Sequence, residues 1–257
     1  MQRAPVSGGA HSMLLRADAM AVNPITSLDH AILSGLNGFA RTSWAFDNAV
    51  ALLTENDLTK GAVAVAALWW AWFRREQGRE ATVDRAHVIA TILSCLAALA
   101  VGRLLVIALP FRVRPIHDAE LGFLAPYGAA GAELAKASSF PSDHAVLFFA
   151  LATGLFFVSR RAGVLAALYA FAVVALPRLY LGLHYFSDIV AGAAIGVAAC
   201  WIGNLVLPAS RGVQRILAAS TTRPALFHFM LFVVTFEIAE LFDSSRAIAG
   251  RLLMLFT

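Results

Sequence analysis

Residues 184–207 read HYFSDIVAGAAIGVAACWIGNLVL: an ionisable pair, His184 and Asp188, and then nineteen positions without a charge. A helix needs about 20 mainly apolar residues to cross the hydrocarbon core of a bilayer. This stretch has the length and the composition, and no proline interrupts it. It reads as a membrane span with two ionisable groups at its mouth. Working outward, the same reading applies to roughly 58–74, 86–109, 143–159 and 162–180, and also to 225–242, which keeps its apolar character despite Glu237 and Glu240. The pattern predicts an all-α integral membrane protein, a bundle of about six transmembrane helices.

Composition agrees. Of 257 residues, 60% are hydrophobic and 14% charged, where a soluble domain carries about a quarter charged. Mean hydropathy is +0.73 and the sequence pI is near 9.5. The basic residues form short clusters between apolar runs, not one continuous patch, so no nucleic-acid partner is expected. Cys95 and Cys200 lie inside apolar runs and read as small hydrophobes. With no CxxC pair, HExxH helix or P-loop, neither a metal nor a cofactor is expected. Arg3 and Arg16 are not followed by a compact apolar core and cleavage site, so no cleaved signal peptide is expected.

Residues 28–56 mix Leu, Ile and Phe with Asp29, His30, Arg41, Asp47 and Glu55. They read as an amphipathic interfacial helix or as a poor first span, which leaves the side of the N-terminus open. Residues 1–27, with Gly8-Gly9, Ser and Pro, are expected to be mobile. Residues 28–257 read as one membrane-embedded domain. The turns carrying Arg74, Arg75, Arg79 and Arg85, then Arg160 and Arg161, then Arg211, Arg215 and Arg223, fall on one face if the spans alternate. The positive-inside rule makes that face cytoplasmic. The connection 110–142 and the joint 181–183 then face outward.

Three polar groups interrupt the apolar sequence on that outward face: Pro110-Phe111-Arg112-Val113-Arg114-Pro115, Ser139-Phe140-Pro141-Ser142-Asp143-His144, and Arg178 with His184 and Asp188. Ionisable residues beside spans are costly and mark function by default. His184 and Asp188, four apart, would share a helix face, where a carboxylate fixes the imidazole tautomer and frees the other nitrogen as a nucleophile. Arg178 and Arg114 offer guanidinium forks for phosphate oxygens, Ser142 a hydroxyl, and the start of the third span its backbone N–H groups. His144 suits protonation of a leaving oxygen. This inventory is that of a phosphoryl-transfer site.

The pattern Pro141-Ser142-Asp143-His144 followed by Arg178-x5-His184-x3-Asp188, with Arg114-Pro115 upstream, resembles the type-2 phosphatidic acid phosphatase superfamily over roughly residues 28–207. The resemblance implies a metal-independent membrane lipid phosphatase with its catalytic core at about 58–207. It implies His184 as nucleophile, Asp188 as its orienting group, His144 as acid, and Arg114, Ser142 and Arg178 as phosphate ligands. Within the superfamily, Ser-Phe-Pro-Ser-Asp-His is most similar to bacterial undecaprenyl-diphosphate phosphatases, implying an inner-membrane enzyme of carrier-lipid recycling with an outward site. The departures are Ile107 where the family's first signature starts with Lys, and Pro177 where Ser commonly precedes the Arg. Arg103 or Arg112 is the candidate for the missing charge. Asp143 either contacts substrate or caps its helix. His117, Asp118 and Glu120 line the entrance or are simply solvated, while Trp69, Trp70 and Trp72 read as interfacial anchors. Phosphatidate, phosphatidylglycerol phosphate and lipid A remain alternative substrates, and a non-catalytic lipid-binding or transport protein an alternative class.

Overall fold

A computed structural model describes residues 23–75, 80–129 and 135–242. Nine helices are used below, in chain order: α1 Pro24–Asn37, α2 Trp44–Glu55, α3 Leu58–Phe73, α4 Ala81–Ala108, α5 Asp143–Val158, α6 Arg160–Tyr180, α7 Phe186–Val206, α8 Arg211–Thr222 and α9 Pro224–Ala239. Among the described residues no strand occurs. The chain is an all-helical membrane protein: α4, α6 and α7 have the length and hydropathy of spans, and α3, α5 and α9 are shorter apolar helices.

Starts are written locally. Asn23, Ser43, Ser142, Ser159 and Ser210 each accept a backbone N–H of the first turn through the side chain, satisfying donors that a helix start otherwise leaves orphaned. The centre is α5, packed between α4 and α7. Glycines allow the close crossings, as small residues do in membrane bundles generally. A Cβ at Gly196 would stand 2.1 Å from the Val146 carbonyl oxygen, and one at Gly154 would meet the Thr91 side chain. Leu147, Leu151, Cys95 and Cys200 are sealed in the core these helices share.

Two helices contain a π-helical stretch, Leu58–Ala62 opening α3 and Ala170–Ala175 inside α6. Each adjoins a buried cation, Lys60 in the first and Arg178 just after the second. The helix ends sort into two groups. At one, Arg74 donates to the Val158 carbonyl at 2.9 Å and stands 3.8 Å from Asp84, drawing together the basic turns. The other holds the C-terminus of α4, the N-termini of α5 and α7, and the end of α6.

Several expectations need correction. Residues 28–56 form two helices, broken at 38–43, because Gly38, the left-handed Arg41 and the Ser43 cap end one and start the next. The segment expected to be mobile, 1–27, loses its last residues to α1, whose Asn23 cap and Pro24 start it; residues 1–22 lie outside the described residues. The basic loop before the last span is the helix α8, anchored by buried Val213. Trp72 is buried against Phe227 rather than interfacial, whereas Trp70 is half-exposed under Arg74.

Candidate active site

The sequence expectation of a helical i,i+4 face for His184 and Asp188 is not what forms. Gly182 adopts a left-handed φ of 67° after α6, and α7 begins only at Phe186. His184 therefore sits in the connecting turn, and Asp188 sits in the first turn of α7. There its Oδ2 caps the Tyr185 N–H at 2.8 Å. His184 Nδ1 lies 2.8 Å from the Ser139 carbonyl and 3.7 Å from Asp188 Oδ2. A carbonyl oxygen only accepts, so Nδ1 carries the proton and Nε2 keeps its lone pair. Asp188 acts on the ring electrostatically, from beyond hydrogen-bond range.

Nε2 faces Arg114 Nη1 at 3.4 Å. Besides that contact, Arg114 is held by backbone carbonyls: Leu183 at 2.7 Å, Ala137 at 3.2 Å and Ser138 at 3.3 Å. Arg178 is buried and donates to the Val174 carbonyl at 2.9 Å. Among the described residues neither guanidinium has a carboxylate ion pair. The two arginines, with His144 and His184, lie within electrostatic reach of one another. Burial draws Arg114 below its ordinary range, with Asp188 and Asp143 opposing. Burial likewise holds the His184 imidazole below its usual 6.5; Asp188 pulls the other way, and Arg114 and Arg178 reinforce the shift. Two buried cations beside two imidazoles, with carboxylates acting on them only from a distance, make a site whose electrostatics favour an anionic ligand.

His144 stands in the first turn of α5, its ring stacked on Phe148 and its Nε2 buried without a partner. The Ser142 hydroxyl oxygen accepts from the Ala145 N–H at 3.4 Å. Asp143 does not cap α5; it pairs with Arg103 at 2.5 Å. Arg112 is bound to two carboxylates, Asp188 Oδ1 at 2.5 Å and Asp29 Oδ2 at 2.8 Å, with its guanidinium over the Tyr185 ring. The two arginines proposed for the missing signature charge are thus both already neutralised, for the simple reason that each has a carboxylate in contact. Ile107, in the place of that charge, is 82% exposed.

Asp118 accepts from the Tyr185 hydroxyl at 2.8 Å; burial and that bond push the phenol well above its ordinary range. The structure adds two groups the sequence reading passed over. Asp29 of α1 is buried in the polar network at the start of α7. Lys60 is 8% exposed, paired with Asp57 at 3.0 Å, and within electrostatic reach of His144. A charge beside a span is a functional signal by default, and that rule, applied to Lys60 at the head of α3, would have found it. Among the described residues no three His, Cys, Asp or Glu side chains cluster as a metal site would.

A profile of the PAP2 superfamily matches residues 92–211. The bacitracin transport permease protein BcrC of Bacillus licheniformis is 43% identical over 60 residues, which take in 23% of this chain and 29% of that protein's length. The crystal structure of the first transmembrane PAP2 type phosphatidylglycerolphosphate phosphatase from Bacillus subtilis aligns with a TM-score of 0.48 at 20% identity, over 78% of this chain and 95% of that one. The stretch that matches the PAP2 superfamily profile, residues 92–211, contains every histidine and arginine of the site.

Proposed function

We propose that the protein is a membrane lipid phosphatase that works through a phosphohistidine on His184. The observation that carries this reading is the His184 ring itself: Nδ1 is committed to the Ser139 carbonyl, and the Nε2 lone pair faces the guanidinium of Arg114, which has no carboxylate in contact. A phosphoryl group gripped by Arg114 and Arg178 presents phosphorus to Nε2. The nucleophile attacks in line, and negative charge on the equatorial oxygens is met by the guanidiniums. The N–P bond forms as the P–O bond to the lipid breaks, and the leaving oxygen takes a proton from the His144 side. Water then attacks phosphohistidine, giving its proton to His144 and restoring Nε2.

For the substrate we infer undecaprenyl diphosphate, on the Ser-Phe-Pro-Ser-Asp-His resemblance, with the site on the outer face of the inner membrane. The chemistry supports a diphosphate. Its leaving group is a phosphate monoester, which departs more readily than an alkoxide and asks less of the proton donor His144. A panel of undecaprenyl diphosphate, phosphatidate, phosphatidylglycerol phosphate and lipid A, assayed in detergent with EDTA, tests the choice. Faster turnover of a glycerophospholipid overturns it. The enzyme reading is tested by rapid acid-free quenching with labelled substrate. Wild type gives an acid-labile phosphoenzyme, while His184→Gln gives none and loses about 10³-fold or more in kcat.

A second reading has one observation in its favour, the permease name of the BcrC relative. A non-catalytic binder or transporter predicts no phosphate release and ligand affinity indifferent to His184→Ala.

A further inference from the structure

Three charges of alternating sign, Asp29, Arg112 and Asp188, lead up to the His184 ring at the start of α7. Asp29 of α1 accepts from Arg112 Nη2 at 2.8 Å, and Arg112 Nη1 donates to Asp188 Oδ1 at 2.5 Å. Asp188 Oδ2 then stands 3.7 Å from His184 Nδ1. A second strand of the same network runs through Ser187, whose N–H and hydroxyl donate to the two oxygens of Asp29 at 2.8 and 2.6 Å, and whose hydroxyl accepts from Arg112 at 2.8 Å. Asp29 is 1% exposed and Asp188 is fully buried. Removing either partner of such a pair leaves a buried charge uncompensated, so a carboxylate this far from the reacting atoms needs a reason to be there.

We propose that Asp29 is a positioning residue for the reactive histidine, acting through Arg112 and Ser187 to hold Asp188 against the His184 ring. Arg112 alone would neutralise Asp188 and cancel its field at the imidazole. Shared with Asp29, the guanidinium gives up part of its charge, and Asp188 remains an effective anion for the ring. Ser187 fixes the same carboxylate to the backbone at the head of α7, so the helix start and the charge chain are set together. The surface helix α1 is in this way part of the site without touching substrate. The role rests on His184 being the nucleophile, but its electrostatic content does not depend on turnover.

The groups that face His184 are Asp188 on α7, Arg114 on the loop, Arg178 on α6 and His144 on α5. All stay in place in the test, which reads the change at one point behind Asp188. Histidine-labelled protein in nanodiscs is titrated by NMR, with His184→Gln assigning the resonance. Asp29→Asn moves the His184 midpoint down by about half a unit or more, a fraction of what a contact charge does. Arg112→Gln, which exposes both carboxylates, moves it up. In lipid-phosphate turnover Asp29→Asn lowers kcat roughly 10-fold with KM little changed, and Asp29→Glu recovers part of the rate. In an Arg112→Gln background Asp29→Asn costs much less than it does alone.

A midpoint that stays at the wild-type position in Asp29→Asn protein of normal melting temperature overturns the proposal. If Asp29→Asn does not fold, Arg112→Gln decides, and an unmoved midpoint there overturns it equally. A wild type that releases no phosphate defeats the phosphatase reading instead, and leaves the titration to judge this one.

Discussion

Four arginines meet near the candidate site, and their partners divide them. Arg112 and Arg103 each contact carboxylates, whereas Arg114 and Arg178 are held by backbone carbonyls. A guanidinium held by neutral acceptors keeps its full charge for a ligand, which is the basis for a prediction. Arg114→Lys and Arg178→Lys, which retain charge but lose the fork, each lower kcat/KM by about 10²-fold. Arg103→Lys costs less than about 10-fold by the same measure, because its charge already faces Asp143. A pH profile checks His184. Its depressed pKa keeps the neutral ring to lower pH, so activity on kcat/KM falls away on the acid side at a midpoint below about 6.5. The residue types and the pairing of segments were legible in sequence, since ionisable groups beside apolar runs stand out. Which arginine is paired was not legible, because Asp29 and Asp143 find Arg112 and Arg103 through folding rather than through spacing. Nor was the Ser139 carbonyl, since every residue has one and only the backbone path shows where it points.

Among elements, the π-helical stretches and the glycine crossings carry the most information. A π-helical turn shifts the register of all that follows it, and such turns recur at functional sites. Here they precede Arg178 and contain Lys60, and both cations are buried on helices that are otherwise mainly apolar along their length. No periodicity in the sequence marks them, because the apolar runs of α3 and α6 tolerate any register. The crossings are more legible: Gly192 and Gly196 stand four apart on α7, the spacing of a close helix contact. Gly196→Val would drive its side chain into the Val146 carbonyl of α5, with backbone on the other side unable to give way. Overpacking of this kind costs about 1–3 kcal/mol at least. Purified Gly196→Val therefore melts several degrees below wild type, and phosphate release falls with it, since α5 carries His144.

For the molecule as a whole, the apolar segments were the most legible feature: the six stretches read from sequence correspond to α3, α4, α5, α6, α7 and α9. The amphipathic α8 escaped because its arginines read as a topological signal first and a helix face second. The two groups of helix ends lead to a prediction about sidedness. Cysteines placed in the 75–80 and 116–129 segments of intact cells react with impermeant reagents on opposite sides of the membrane, and equal labelling of both would refute the arrangement. The site also draws on chain positions from 29 to 188, and this has a consequence for biogenesis. Asp29 finds Ser187 across a separation of 158 residues. While the ribosome is still making the earlier helices, the carboxylate of Asp29 and the guanidinium of Arg112 have no α7 to close over them and must stay hydrated at the bilayer surface. The polar network behind His184 can thus close only once α7 has been made, and a nascent chain stalled before that point cannot hold it together.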